Sequence, residues 1–597
     1  MINRISPREE NLRLRPPERV MDLERLGSLH ASRLSFTRSL IRQMARQRWQ
    51  ISAARFDLDD AGHGTVIYRL QTPRGRYHGV IFSQPLDDEA RSDRVIAEAW
   101  DVTFGVVEGE VDEALLEQMA ANVPLQEAGR QHPRLLVLSR ANRSLRNFDA
   151  FTRALAEGYQ PDPAWLTRAG YLYRTTAVYG NGKFGIADFG RLKDNPDFQR
   201  PFSAQMLAVY LLRHFSIQQV EHIARRQAPA TAVGLATPLK RYLGIGNATG
   251  LGMAPFLINH PQLIEQWVKS REQALAQISA QTPDEAQRER LLALLERARR
   301  HLEQTITGDV QQGERNRETA AALPDVRAWL EQVPLTADLW RELTEWSHRT
   351  LPLEAQELIN TLLLELYPAI VEPFENRMGV DERLELTPEM PLVHLKQLIE
   401  THYDWALAVD FDAPDSRYWF WYRSVEKEEP RLGVRGHEPG ADRELKLAIA
   451  PRVADTHRAV EAYLGDNPHA TTVEFLIAHC RHKDIVRRIQ TMAETPYGEI
   501  RANLWAREMK PMHLLRAKLA FFGAGRFDPK SDRWVRITLF QGAPLVEELN
   551  AEPDDLRDFD DWSFPLEPSP ETSAPDSACL SHRTASHRTA ATNGVAL

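Results

Sequence analysis

The chain has 597 residues, 43% of them hydrophobic and 26% charged, with a net charge of −9. This composition excludes a wholly disordered or fibrous polymer and leaves room for about two to four domains. No apolar run approaches the ~20 residues that span a bilayer, and the opening MINRISPREENLRLRPPERV carries charge where a secretory signal needs an apolar stretch, so a cytoplasmic protein with no membrane partner is expected.

Only Cys480 and Cys579 are present, too few for a disulfide framework or a cysteine zinc site within one chain. Residues 551–597 hold nine Asp or Glu against three Arg. The rest of the chain is therefore near neutral, which argues against nucleic acid as a partner.

Residues 1–22, rich in Arg, Glu and Pro, read as a flexible arm. Phe36, Leu40 and Met44 then recur every four residues while Arg38, Arg42 and Arg46 fall on another side. That spacing predicts an amphipathic helix whose basic face is solvated or meets an anionic partner. Residues 51–58, 65–72 and 77–82, separated by the turn-forming DDAGHG and PRGR, predict an antiparallel meander. A β-branched run at 95–107, a helix over 112–121, a strand over 134–139 and a helix over 144–155 complete an α+β domain spanning 23–160.

Helical signals dominate 161–403, with helices expected at 203–215, 217–226, 261–278, 282–305, 337–348, 353–366 and 391–402. In Thr282-Pro283-Asp284-Glu285, Thr reads as the N-cap, Pro as the first helical residue and Glu as the close of a capping box. From 404 to 550 the signals are mixed: strands at 417–424 and 533–540, and helices near 453–464, 473–490 and 511–522. This region either stands apart or adds strands to the N-terminal sheet. The chain from 551 on, acidic and then rich in Pro, Ser and Thr, reads as a disordered tail. The fold class is α+β and predominantly helical.

Four stretches carry candidate chemistry. Gly244, Gly246, Gly250 and Gly252 have neither the spacing nor the preceding strand of a dinucleotide fingerprint. They predict a loop that either packs helices closely or offers amides to a phosphate or carboxylate, helped by Lys240, Arg241, Asn247 and Thr249. The cluster at 179–185 reads as an Asn-Gly hairpin, or as a glycine flap whose Lys183 meets an anion beside Asp188 as acid or base.

The run SRANRS at 139–144 follows a strand and opens a helix. It is either a capped helix start or a donor cluster of Arg140, Asn142, Arg143 and Ser144. Five consecutive aromatics at 418–422 predict a central strand, after which Arg423 and Arg431 could clamp a carboxylate or phosphate with Glu428 as general base.

Metal binding is not expected. Asp410, Asp412 and Asp415, and Asp57, Asp59 and Asp60, lack the glycine and closing Glu of a calcium loop, while His479 and His482 are spaced by three rather than four. No nucleophile elbow, P-loop, zincin or kinase motif occurs, and no motif points to a cofactor. Two readings follow: an enzyme holding a small anionic substrate in an inter-domain cleft, or a noncatalytic scaffold serving a protein partner through amphipathic helices and the acidic tail.

Overall fold

The computed structural model describes residues 13–87, 99–121, 132–144, 146–175, 177–178, 192, 194–250, 260–378, 384–411, 449–501, 511–530, 534–551 and 562–568. A nine-stranded sheet organises the chain. Strands β1 (Gln50–Leu58), β2 (Gly64–Gln71), β3 (Arg76–Ser83), β4 (Val102–Glu108), β5 (Leu135–Arg143) and β6 (Tyr171–Thr175) lie side by side in sequence order, each antiparallel to the last. The expected meander is β1 to β3. Its first turn closes because the Asp59 carboxylate accepts the Ala61 and His63 amides while Gly62 takes φ +78°.

Beyond β6 the sheet changes character. Strand β7 (Gly244–Gly250) runs parallel to β6 and antiparallel to β9 (Trp534–Leu539), and β8 (Ala524–Pro529) forms the far edge. C-terminal strands therefore extend the N-terminal sheet, with β7 from the helical middle joining the two parts.

Over Gly244–Gly250 the glycine stretch expected as a loop is thus an interior strand, and Gly252 lies outside the described residues. A Cβ on Gly244 would lie 2.5 Å from Leu539 O, and one on Gly246 would lie 2.6 Å from the Tyr171 ring. The glycines do permit close approach, but of neighbouring strands rather than of helices.

The longer helices, in chain order, are α1 (Phe36–Arg46), α2 (Glu113–Ala121), α3 (Asn147–Ala156), α4 (Ser203–Gln227), α5 (Pro261–Ser279), α6 (Glu285–Gln304), α7 (Val310–Gln332), α8 (Leu339–Thr350), α9 (Leu353–Leu366), α10 (Leu392–His402), α11 (Ile449–Asp466), α12 (Thr472–Ala478), α13 (Lys483–Met492) and α14 (Pro511–Phe522). A parallel pair needs a crossover, and α4 supplies it between β6 and β7.

At 25 residues, α4 is one helix where two were expected. Ser216 does not break it, because its hydroxyl donates to Arg213 O within the same helix. Leu211 on α4 reaches the sheet over Gly79, where any Cβ would come within 2.4 Å of the leucine. The opposite face is covered by α2, whose Leu115, Leu116 and Met119 pack on Val80, Val107, Leu135 and Leu138.

Arg213 fixes where α4 sits. Its guanidinium donates to Leu243 O at 2.6 Å, Ala543 O at 2.8 Å, Pro544 O at 3.0 Å, Arg241 O at 3.0 Å and Lys240 O at 3.1 Å. It thereby ties the helix to the turn before β7 and to the chain after β9. Burial pulls its pKa down to about 10, so it remains cationic at neutral pH.

Helices α5 to α9 enclose a second apolar core. The first residue of α6 follows Asp284, which caps it in a box with Gln287, two residues later than the Thr282 cap expected from the sequence. Asp284 takes the role because its carboxylate reaches the Gln287 amide at 2.8 Å.

The N-terminal segment and this helical body are stitched together by buried ion pairs. Arg38 donates to Glu365 at 2.8 Å, Arg42 pairs with Glu375, and Arg33 and Arg46 both pair with Glu372. On the basic face of α1, Arg38 and Arg42 are therefore buried against this chain's own glutamates, while Arg46 pairs with Glu372 and stays exposed. Arg15, inside the expected flexible arm, is likewise held by Glu272 and Glu357, each at 2.7 Å.

Candidate functional site

Where the second core meets the sheet's β8 edge there is a cavity of about 80 Å³. Its walls come from residues 27–31, from the facing ends of α6 and α7, from the start of α9, from α14 running into β8, and from the segment 562–565. That last segment lies in the stretch expected to be disordered. It is held because Arg38 donates to Ser563 Oγ at 2.6 Å, Arg297 donates to Phe564 O at 3.2 Å, and His301 Nδ1 meets Pro565 O at 2.8 Å.

Four polar side chains converge on this space: His30, Glu354, Arg516 and Trp562. Arg516 Nη2 donates to Glu354 Oε1. Among the described residues, Arg516 Nη1, Glu354 Oε2, His30 Nε2 and Trp562 Nε1 are buried and have no hydrogen-bond partner. Arg315 stands 3.9 Å from Glu354 Oε2, an ion-pair distance rather than a hydrogen bond. Such atoms recur elsewhere among the described residues, and these four belong to side chains that line one cavity.

The imidazoles there are neutral. Burial lowers the pKa of His30 and brings that of His301 down to about 4. Since Pro565 O can only accept, His301 carries its proton on Nδ1. Arg526, also on the wall, donates to Ile306 O at 2.6 Å. Three arginines line the cavity, Arg38, Arg516 and Arg526, of which Arg38 is paired with Glu365 and Arg516 with Glu354.

The residues singled out from the sequence lie elsewhere. SRANRS is mostly strand, not a helix start: β5 runs through Arg143 and α3 begins only at Asn147, so Arg140, Asn142 and Arg143 form no donor cluster at a helix N-terminus. Arg140 lies over the Trp100 ring at 4.7 Å. Asn142 Oδ1 accepts the Asp101 amide at 2.9 Å, and Arg143 Nε donates to Tyr173 Oη at 3.1 Å.

Asn247 Nδ2 donates to Thr175 O at 3.0 Å, a strand-to-strand link. Thr249 falls on β7, and Lys240 and Arg241 pair with Glu221 and Glu548. Lys183, Asp188, Arg423, Glu428 and Arg431 lie outside the described residues, as does the aromatic run at 418–422. His482 Nδ1 meets Thr456 Oγ1 at 2.8 Å, and no group of three or more His, Cys, Asp or Glu among the described residues could hold a metal ion.

No local pattern marks His30, Glu354 or Arg516. The one legible signal is Trp562-Ser563-Phe564-Pro565, an apolar island in an acidic stretch, which a packed segment would need. Set against known proteins, the chain matches no family model, no curated protein and no solved structure. Among the described residues no helix is long and apolar enough to cross a membrane. The reading of function thus rests on the chemistry of the cavity.

Proposed function

We propose that the protein binds a small anionic group, a carboxylate or a phosphate, in the cavity beside Arg516. The observation that carries this reading is the set of four buried, unpartnered polar atoms from four distant parts of the chain. Leaving such atoms unmade costs about 1–3 kcal/mol each. A carboxylate or phosphate can accept from the two donors, Arg516 Nη1 and Trp562 Nε1, and recovers that cost there, whereas Glu354 Oε2 is itself an acceptor and is not satisfied by an anion.

Arg516 spends one edge on Glu354 and keeps Nη1 for the ligand. Trp562 Nε1 can only donate, so it adds a second neutralising hydrogen bond to an anion. His30, neutral through burial, is the proton acceptor available for chemistry on the bound group.

A thermal-shift series on the full chain tests the reading. Formate, acetate and phosphate should each raise the melting temperature, since a ligand that binds only the folded state stabilises it, while acetamide should not. Equal shifts with acetamide and acetate would show that the cavity does not select charge.

A further inference from the structure

Resting on that reading, we infer that the ligand is amphipathic: its anionic head occupies the inner cavity and an aliphatic chain lies in the groove between α6 and α7. The inner cavity, about 80 Å³, is well below the ~300–1,000 Å³ of ordinary small-molecule sites. It can take a head group or a few water molecules, but not a whole metabolite.

The missing volume is adjacent. A groove of about 640 Å³ runs along the C-terminal end of α6, the connection at 305–309 and the outer face of α7. It shares Leu302, Thr305 and Asn316 with the inner cavity, so the two spaces adjoin at these residues.

Small residues keep the groove open. Gly313, Ala320 and Ala321 line it from α7, where longer side chains would fill it. Pro324, inside the same helix, removes one backbone donor and completes this wall. At the rim Ile306 is 55% exposed and Val310 71%, two of the few large apolar side chains in the described residues left facing water. An aliphatic chain rising from the head site would cover both. Arg299, Glu303, Asp309 and Arg317 also line the groove, and the apolar strip from Ile306 and Val310 to Ala320 and Ala321 fits a straight-chain carboxylate better than a compact polyanion.

Titration of the full chain with formate, acetate, butyrate, hexanoate and octanoate tests this, with octanol as the uncharged control. Affinity should rise by up to about four-fold per methylene as the chain enters the groove. Ala321→Phe, at an exposed position on the groove wall, should flatten the series while leaving acetate binding intact. Gly313→Leu should do the same from the other end, since a Cβ there meets only Thr307 Cγ2 at 3.7 Å.

Equal affinity for acetate and octanoate in the parent protein would overturn the inference and leave the head site standing. Octanol binding as tightly as octanoate would overturn it too, since the groove would then act without the head site. If no carboxylate of any length binds, the head site itself is wrong.

Discussion

Glu357 on α9 accepts from Arg25 at 2.6 Å across 332 positions of chain, and the same carboxylate receives Arg15 at 2.7 Å and Arg271 at 2.9 Å. Burial alone would raise its pKa. The surrounding guanidinium groups, Arg15 foremost, hold it well below the usual carboxylate range. The contribution to stability is therefore present above the unfolded carboxylate pKa and is lost as pH falls below it.

Glu357→Gln keeps the shape but takes the carboxylate from Arg25, while Arg15 and Arg271 keep Glu272. Breaking a buried pair in this way costs about 3–5 kcal/mol. Urea denaturation should show a clearly lower midpoint with an unchanged slope; an unchanged midpoint would mean the network is idle.

Arg213 poses a similar test in a different setting, because its partners are carbonyls. Arg213→Met would remove five hydrogen bonds to backbone carbonyls, each worth roughly 1 kcal/mol, although Pro544 O keeps the Tyr210 hydroxyl and Arg241 O keeps the Gly542 amide. Lysine keeps the charge but has only three donors. The expected order of denaturation midpoints is wild type, then lysine, then methionine, and a methionine variant as stable as the parent would refute the stapling role.

Gly244 and Gly308 give a paired experiment on β7. An alanine at Gly244 would drive its methyl into the Leu539 carbonyl, whereas at Gly308 nothing lies within 4 Å. Gly244→Ala should lose on the order of 1–3 kcal/mol, the usual scale for overpacking, and Gly308→Ala should melt close to the parent. Similar melting of the two variants would remove β7 from the sheet interior.

Much of the fold is legible in the sequence, and the failures have physical causes. The meander is readable because apolar alternation and turn residues agree at each hairpin. The period of four in α1 correctly names its apolar face. It cannot reveal that Arg38 and Arg42 on the arginine face are buried as well, since Glu365, which meets Arg38, sits 327 residues away.

Strand β7 is illegible for the opposite reason. Its glycines carry no alternating pattern, and what makes them a strand is the proximity of Tyr171 and Leu539. The cavity is assembled from segments that share no motif, so only the aromatic island at 562–564 hints at it. Fold class follows from local periodicity, whereas this site depends on long-range packing.

Acid should destabilise the protein in a defined window. Burial lowers the histidines His214, His301 and His348 to about 4 and His260 to about 3, and it lowers His30 as well. An unfolded histidine titrates near 6.5, so below that pH the unfolded state binds more protons than the folded one. Stability is then full above about pH 6.5 and falls toward pH 4. Melting temperatures across pH 4–8 should follow that curve, and His301→Gln should make the acid limb shallower; a flat profile would contradict neutral burial.

The central claim is tested most directly by calorimetric titration of acetate and phosphate into the full chain, with the Arg516→Gln variant beside it and circular dichroism to confirm that both are folded. The account predicts saturable binding of at least one anion to the parent protein and none to the folded variant. Identical titrations of the two proteins, or no heat of binding from either anion with the parent at millimolar concentration, would contradict it.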